Sequence, residues 1–486
     1  MASRDLRSWI AQLEAAGEFK KISTEVDWNE EIAEIIRRVY MQNGPALLFD
    51  NIKGYKNTLG RRIFVNGLGA RSRMNLMMNL PKDTPVAEMI QTIRQRTKSP
   101  VEAKHVKTGH VKENILKGKD IDLFQFPVPK WHQDDAGRYI NTFYSAVTRD
   151  PDDGRLNCGI YRGMINSRNK IGVLMIPMKD WGSVFAKYQQ IGKPMPVAFV
   201  YGYDPALLCV SGVPVVGPEY DLAGALRQEP IELVKCETSD IEVPANSEIV
   251  VEGLMTTDPG QYEMEGPYGE ASGYYGEARK RPVVNVNCIT FRNDPILRGG
   301  YAGMAGGIQD ELKVMVGNTF SAVAWNTLDS QEIPGILDVQ VGPITAVKIH
   351  KTYQGQARQI AAALWGSKYA GQVYNIVMVV EEDVDVHDDH SLLWALHDKM
   401  DFDRSLLVYP LWMGSPVDPS IPYELRDELA YGAGVQKKLL IDATVDWELF
   451  PFRAEWGNRR FPPDCTRASK GIPELVDKKW KKYGLD

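Results

Sequence analysis

Glu265-Gly-Pro-Tyr-Gly-Glu270 sets two carboxylates five residues apart on a segment that cannot be helical. Gly266 and Gly269 open backbone angles closed to other residues, while Pro267 removes a donor and fixes φ. A rigid bend with an acid at each end can present one carboxylate to a reacting substrate and hold the other behind it. Neighbouring carboxylates in unlike environments are pushed to different pKa values, which suits acid–base work. The same pattern also describes a solvated Gly/Pro turn flanked by acids.

Asn157-Cys-Gly-Ile-Tyr-Arg162 places an Arg in a predicted central strand, on the face of Ile160 and Met164. If buried, that Arg needs a carboxylate or phosphate partner; on a solvent-facing strand it needs none. Asn157 and Arg162 are five apart, so a regular strand sends them to opposite faces. They line one site only if a bulge, or the Gly159 position, breaks the alternation. An irregularity is therefore expected between residues 157 and 162. Glu219 follows Gly217-Pro218 and opens a helical segment over 220–226. It reads either as an acid favourable to the helix dipole or as a hard oxygen ligand.

Other chemistries find no support. Gly67-Leu-Gly69 and the Gly-rich stretch 299–307 lack a G-x-G-x-x-G between strand and helix with an acid about 20 residues on. There is no phosphate loop, no H-E-x-x-H and no G-x-S-x-G. The seven histidines are scattered, and His387 and His390 read as helix-start residues.

The elements that must carry these residues follow from length and pattern. A chain of 486 residues predicts two or three domains. With 44% hydrophobic and 25% charged residues it has the composition of a soluble globular protein. A net charge of −6 offers no footprint for nucleic acid, and the short basic cluster at 478–482 reads as a solvated tail helix. Five cysteines without a CxxC pair, and no secretory or transit pattern before Leu6, lead to the expectation of a reducing, cytoplasmic setting. No apolar stretch approaches the ~20 residues that span a bilayer.

Leu6, Trp9, Ile10 and Leu13 recur at helical spacing, as do Ile32, Ile35, Ile36, Val39 and Tyr40, with short strands predicted at Ala46–Phe49 and Arg62–Val65. Residues 1–115 thus read as an α/β unit. Residues 116–300 carry short apolar or alternating runs between Asp, Asn, Gly and Pro turns, with helical interruptions at 181–191 and 221–226. Such a sheet must manage its edges, which predicts a closed or split barrel. After a linker region at 301–330, residues 331–486 alternate again. A helix is predicted at Gln356–Trp365, a buried strand at 373–380, and a helix at 390–400 capped by Asp388 or Asp389.

Taken together, the chain resembles the UbiD family of reversible, non-oxidative decarboxylases that use prenylated FMN. The likeness rests on many segments in the family's order. They begin with Leu6-Arg-Ser-Trp-Ile…Leu13-Glu…Gly17-Glu18, Phe126-Pro-Val-Pro-Lys-Trp-His132, Tyr139-Ile-Asn-Thr142, Thr148-Arg-Asp-Pro151 and Asn157–Arg162. They continue through Val234-Lys-Cys-Glu-Thr-Ser-Asp240, Val243-Pro-Ala…Glu248, Glu265–Glu270 with Gly273-Tyr-Tyr275, and Asp383-Val-Asp385…Leu393-Trp-Ala395.

The resemblance implies an α+β multidomain protein: an N-terminal α/β domain, a central split β-barrel like that of flavin reductases, and a C-terminal α/β domain used in oligomerisation as a dimer or hexamer. It assigns Arg162, Glu265 and Glu270 to a Glu–Arg–Glu network beside the flavin, with Glu270 reprotonating the carbon that has lost CO2. Some members carry Asp at that last position. The family holds the cofactor phosphate through a divalent metal, usually Mn2+ (Mg2+ being the other candidate), with K+ nearby. Asn157 and Glu219 match two metal ligands, and Asp180 stands where some members have His. A phosphate-reaching Lys of some members aligns with His390. Ile160, Tyr161, Arg162 and Lys179 complete the expected cofactor contacts, and Tyr301, Ala302, Gly303 and Met304 are expected to border the substrate.

The implied reaction is reversible decarboxylation of an aromatic or heteroaromatic (or α,β-unsaturated) acid through a covalent prenylated-FMN adduct, with a flavin prenyltransferase supplying the cofactor. Two alternatives stand beside it: a flavin reductase-like FMN oxidoreductase on a similar barrel, and one subunit of a multi-chain carboxylase.

Overall fold

The computed structural model describes residues 5–484 except 178, 369–373, 416, 427–434, 464 and 467. Its architecture is mixed α+β, in three sheet-centred layers. The first sheet runs Phe19–Ile22, Ala46–Phe49, Arg62–Val65 and Ile296–Arg298. Its second strand is buried on both faces, because the helices Leu6–Ala15, Glu31–Met41 and Val86–Arg96 pack around it. Glu31–Met41 turns Ile32, Ala33, Ile36 and Tyr40 inward, the 3.6-residue stripe that a helix lying on a sheet requires. Ile296–Arg298 comes from more than two hundred residues downstream and pairs in parallel with Arg62–Val65. The first and second layers are therefore stitched together by main-chain hydrogen bonds.

The central sheet positions the site. Its antiparallel path runs Tyr139–Asn141, Gly163–Ser167, Lys170–Val173, Val283–Phe291, Ile249–Met255, Met195–Tyr201, Ser145–Arg149 and Leu156–Gly159. Asn114–Lys117 shares an edge of the long strand Val283–Phe291. No ladder joins the two ends of this path among the described residues. Yet the chain passes from the first strand (ending Asn141) to the last but one (starting Ser145) through three residues. It also passes from the last strand (ending Gly159) to the second (starting Gly163) through three more. Four residue steps span at most about 14 Å, so the sheet must curl until its rims nearly touch. The result is a half-barrel whose seam is crossed twice by covalent chain. Tyr144 Oη donates to the Tyr161 carbonyl at 2.5 Å and ties the two crossings together.

The expected irregularity is thus a complete break: residues 160–162 belong to neither flanking strand. A Cβ on Gly159 would lie 2.3 Å from Tyr161 Oη, so only glycine lets the Tyr161 ring fold back across the strand end.

The segment read as a linker holds a 20-residue helix, Glu311–Ser330, with Asp310 accepting from the Lys313 amide at 2.9 Å as its cap. It leads to the third sheet, ordered Ile336–Gln340, Thr345–Ile349, Ile376–Val380, Val435–Asp442 and Leu406–Met413. The strand predicted over 373–380 begins at Ile376; Val373 itself lies outside the described residues. Gln356–Trp365 and Asp389–Asp398 are helices, the latter capped by Asp388, which accepts from the His390 and Ser391 amides. No described helix is long and apolar enough to cross a membrane.

Candidate active site

Arg162 lies in the second seam crossing, and the two acids come to it from an excursion between the strands Ile249–Met255 and Val283–Phe291. That excursion contains two short antiparallel pairs, Glu263–Glu265 with Arg279–Arg281 and Tyr268–Gly269 with Tyr275–Gly276. The bend between them is Gly266–Pro267, with Gly266 at φ 87°. A Cβ there would meet the Glu277 carbonyl at 2.3 Å. Glycine is therefore required to set Glu265 and Glu270 on either side of one guanidinium.

Arg162 Nε donates to Glu265 Oε1 at 3.0 Å and Nη2 to Oε2 at 2.7 Å, a two-point ion pair. Its Nη1 donates to Glu270 Oε1. Tyr139 Oη donates to Glu265 Oε1 at 3.0 Å, and Arg281 Nη1 to Oε2 at 2.7 Å. Burial would pull the Arg162 pKa down, but Glu265 and Glu270 outweigh it and hold the guanidinium charged. The acids differ in access: the Glu265 side chain is 0% exposed and Glu270 12%. Burial raises the Glu270 pKa against the opposing pull of Arg162, in the direction that favours a held proton on the more accessible of the two acids. Gly276 makes room for this pair; a Cβ there would lie 2.5 Å from Arg162 Nη1 and 2.8 Å from Glu270 Oε1.

On the other side of the crossing, Asn157, Ile160, Tyr161, Lys179, Asp180 and Glu219 line one solvent-open cleft with a cavity volume of about 50 Å³. Tyr161 stacks on Trp181 with centroids 4.1 Å apart, and Asn157 Nδ2 donates to Tyr161 Oη at 3.4 Å. Burial pushes Glu219 up to about 7, with Asp180 adding to the rise. Burial pulls Lys179 down to about 8, with Glu270 and Asp180 pulling the other way.

No three His, Cys, Asp or Glu side chains gather as ligands among the described residues; the set here is two carboxylates and an amide. Glu219 and Asp180 with the Asn157 amide oxygen make an all-oxygen set, the donor chemistry that a hard divalent cation takes.

A larger cleft lies elsewhere, among Lys104, Tyr203, Asp204, Arg227, Glu229 and Glu232. Its charged groups pair with one another: Arg227 with Asp204 at 2.6 Å and Glu229 at 3.3 Å, Lys104 with Glu232 at 3.7 Å. Size alone does not make it the site of chemistry.

Three family models match the chain: the 3-octaprenyl-4-hydroxybenzoate carboxy-lyase N-terminal domain over 10–93, its Rift-related domain over 104–305 and its C-terminal domain over 313–443. The chain belongs to the UbiD family. It is thereby a carboxy-lyase of that family. The vanillic acid decarboxylase of Sedimentibacter hydroxybenzoicus in its closed form is similar throughout, with TM-score 0.87, 28% identity and full coverage of both chains. The open forms of that enzyme give 0.82. The UbiD-class enzyme HmfF from Pelotomaculum thermopropionicum, in complex with FMN, gives TM-score 0.79 at 30% identity over 97% of this chain and 99% of its own. An evolved dimeric form of HmfF in complex with prFMN gives 0.78 at 29% identity over 99% and 100%.

Of the residues picked from sequence, the structure brings Arg162, Glu265 and Glu270 into one network and Asn157, Ile160, Tyr161, Lys179, Asp180 and Glu219 around one cleft. It does not bring His390 there. His390 is exposed in the first turn of Asp389–Asp398 and is not among the side chains lining the cleft. Besides Lys179, a second lysine lines the cleft: Lys368, which follows the helix Gln356–Trp365 and pairs with Asp180. Sequence reading missed Lys368, and also Tyr139, Arg281 and Gly276. Tyr139 was at least visible in the Tyr139-Ile-Asn-Thr142 segment; a lone Lys after a helix carries no signal.

Proposed function

We propose that this chain is a prenylated-FMN-dependent decarboxylase of an aromatic or heteroaromatic acid, working reversibly, with Glu270 as proton donor. The observation that carries this reading is the single guanidinium of Arg162 held between a sealed acid and an accessible one. Breaking the bond from a ring carbon to its carboxylate leaves an electron pair that side chains cannot accept. Prenylated FMN, when bound, supplies that electron sink.

The chain's own residues do the rest. Arg162 orients the substrate carboxylate, with Glu265, Arg281 and Tyr139 fixing its plane. As CO2 departs, Glu270 moves its proton to the vacated carbon and is left as a carboxylate beside Arg162, which stabilises it. In the reverse direction the same carboxylate accepts the proton. Asn157, Glu219 and Asp180 would hold Mn2+ or Mg2+ against the cofactor phosphate, with K+ nearby, and Lys368 takes the place foreseen for His390. The curved central sheet is read as a flavin-reductase-like split barrel. In the wall 301–304, Tyr301, Ala302 and Met304 are buried and Ala302 and Gly303 are small, and a Cβ on Gly303 would lie 2.7 Å from the Glu270 carbonyl. The closeness of this wall to the Glu270 backbone supports its role as a border for a planar ring. Exposed Leu393, Trp394, Phe402 and Val408 on the third layer support a homo-oligomer, dimer or hexamer. The setting proposed is cytoplasmic.

The test is expression with a flavin prenyltransferase, followed by absorption and mass spectra of the bound flavin and CO2 release from a panel of aromatic acids. Prenylated FMN with turnover, or with substrate-hydrogen exchange, is expected. Ordinary FMN with NAD(P)H oxidation would point to a reductase. Absence of any flavin would point to an assembly subunit.

A further inference from the structure

The segment Phe126-Pro-Val-Pro-Lys-Trp-His132 ends in a histidine that the mechanism above does not use. The His132 side chain is 11% exposed, and each ring nitrogen faces an acceptor. Nδ1 meets Asp135 Oδ2 at 3.1 Å, and Nε2 meets the Ala302 carbonyl at 2.9 Å. Asp135 is sealed, and its Oδ1 accepts from the Gly269 amide at 2.9 Å. One imidazole thus joins the strand that ends at Gly269, next to Glu270, to the loop that forms the wall opposite.

Packing reports the same link. A Cβ on Gly269 would lie 2.5 Å from His132 Nδ1, and one on Gly303 would lie 3.3 Å from Nε2 and 2.7 Å from the Glu270 carbonyl. The ring also lies against Tyr301, centroids 4.7 Å apart. The loop is gripped at two further carbonyls, by Tyr40 Oη on Tyr301 at 3.2 Å and Lys313 Nζ on Met304 at 2.5 Å. Tyr40 and Lys313 anchor it to the first-layer helix Glu31–Met41 and to the helix Glu311–Ser330. Only the His132 bond, among these three, runs to the proton donor's own neighbours.

We propose that His132 is a positioning residue. Through its Nε2 bond to Ala302 it sets the separation between the Glu270 carboxyl and the Tyr301–Met304 wall, and hence the distance over which the proton travels. This rests on the decarboxylase reading, with Glu270 as donor. A proton transfer needs heavy atoms within hydrogen-bond reach, and a misplacement of about 1 Å costs on the order of 10²-fold. Substrate binding through Arg162 does not depend on that bond.

Two near-isosteric variants separate the links. In His132→Gln the amide nitrogen can stand where Nε2 stands and still donate to Ala302. In His132→Asn the amide can stand where Nδ1 stands, keeping Asp135 and losing Ala302. Prenylated-FMN-loaded enzyme is assayed for kcat, KM and deuterium exchange at the substrate carbon, with flavin absorbance and melting temperature recorded for each variant. The expected result is kcat and exchange within about threefold of wild type for Gln. For Asn, a fall of roughly ten- to a hundredfold in both is expected, with KM and flavin content unchanged. Equal activities for Gln and Asn, or a change confined to KM, would overturn the proposal. So would an Asn variant that no longer folds while Gln does, since His132 would then be a purely structural residue. Wild-type enzyme without turnover or exchange would instead overturn the decarboxylase reading itself.

Discussion

Arg162 and Glu265 meet side-on, at 3.0 and 2.7 Å, in a two-point pair with no solvent on the carboxylate side. Because Arg281 and Tyr139 occupy the same carboxylate, Glu265 has no lone pair to spare for substrate. On the proposed reading, it aims the guanidinium and raises the proton affinity of Glu270 across it.

Glu270→Gln keeps the size of the side chain and a hydrogen-bond partner for Arg162, but carries no acidic proton. CO2 release and deuterium exchange are expected to fall by about 10²–10⁴-fold, with flavin absorbance unchanged. Full activity in this variant would remove Glu270 as donor.

The pH profile tests the coupling of the two acids. Burial raises the Glu270 pKa and Glu265 adds to the rise, while Arg162 opposes it. A donor must hold its proton, so its contribution is complete below that pKa and is lost as pH rises through it. Glu265→Gln removes a negative neighbour and leaves Arg162 less neutralised; both effects lower the Glu270 pKa. The basic limb of kcat is expected to move to lower pH, and a limb that stays or moves upward would refute the coupling.

Gly276→Ala places a methyl group 2.5 Å from Arg162 Nη1 and 2.8 Å from Glu270 Oε1. The two side chains must part. A loss on the order of 10²-fold in kcat is expected, with flavin retained and a melting temperature close to wild type. Unchanged kcat would mean that their close approach is not needed in turnover.

Glu219→Ala is expected to lose metal and flavin together, read by elemental analysis and absorbance on the same sample. Lys368→Ala is expected to weaken flavin retention about tenfold, the scale of one charge-assisted hydrogen bond, and His390→Ala to leave it unaltered. Retention of both metal and flavin without Glu219 would refute the ligand assignment.

What the sequence made legible depended on whether a residue's neighbours in the chain were also its neighbours in space. Gln356–Trp365 and Ala46–Phe49 were readable because each buries one regular stripe or one short apolar run. Pro205–Ser211 escaped notice because all seven of its residues are buried, leaving no polar face to mark a period. Glu311–Ser330 escaped for a related reason: it packs on Val86–Arg96, Pro205–Ser211, Gln356–Trp365 and Ile336–Gln340, so apolar residues surround it. In the site, the five-residue spacing of Asn157 and Arg162 demanded a break in the strand, and the structure puts it at 160–162. Lys368 was beyond reach, since its partner Asp180 lies almost two hundred residues away on another layer.

The twice-crossed seam constrains how such a protein can change. Inserting or deleting one residue at 142–144 or 160–162 alters the circumference of the curled sheet and swings the guanidinium away from both acids. The lengths of these two bridges are thus the fixed dimension of the catalyst, whereas side chains on the facing wall can be exchanged one at a time. If the proposed reaction holds, diversification toward new ring systems is open through the wall and closed through the bridges.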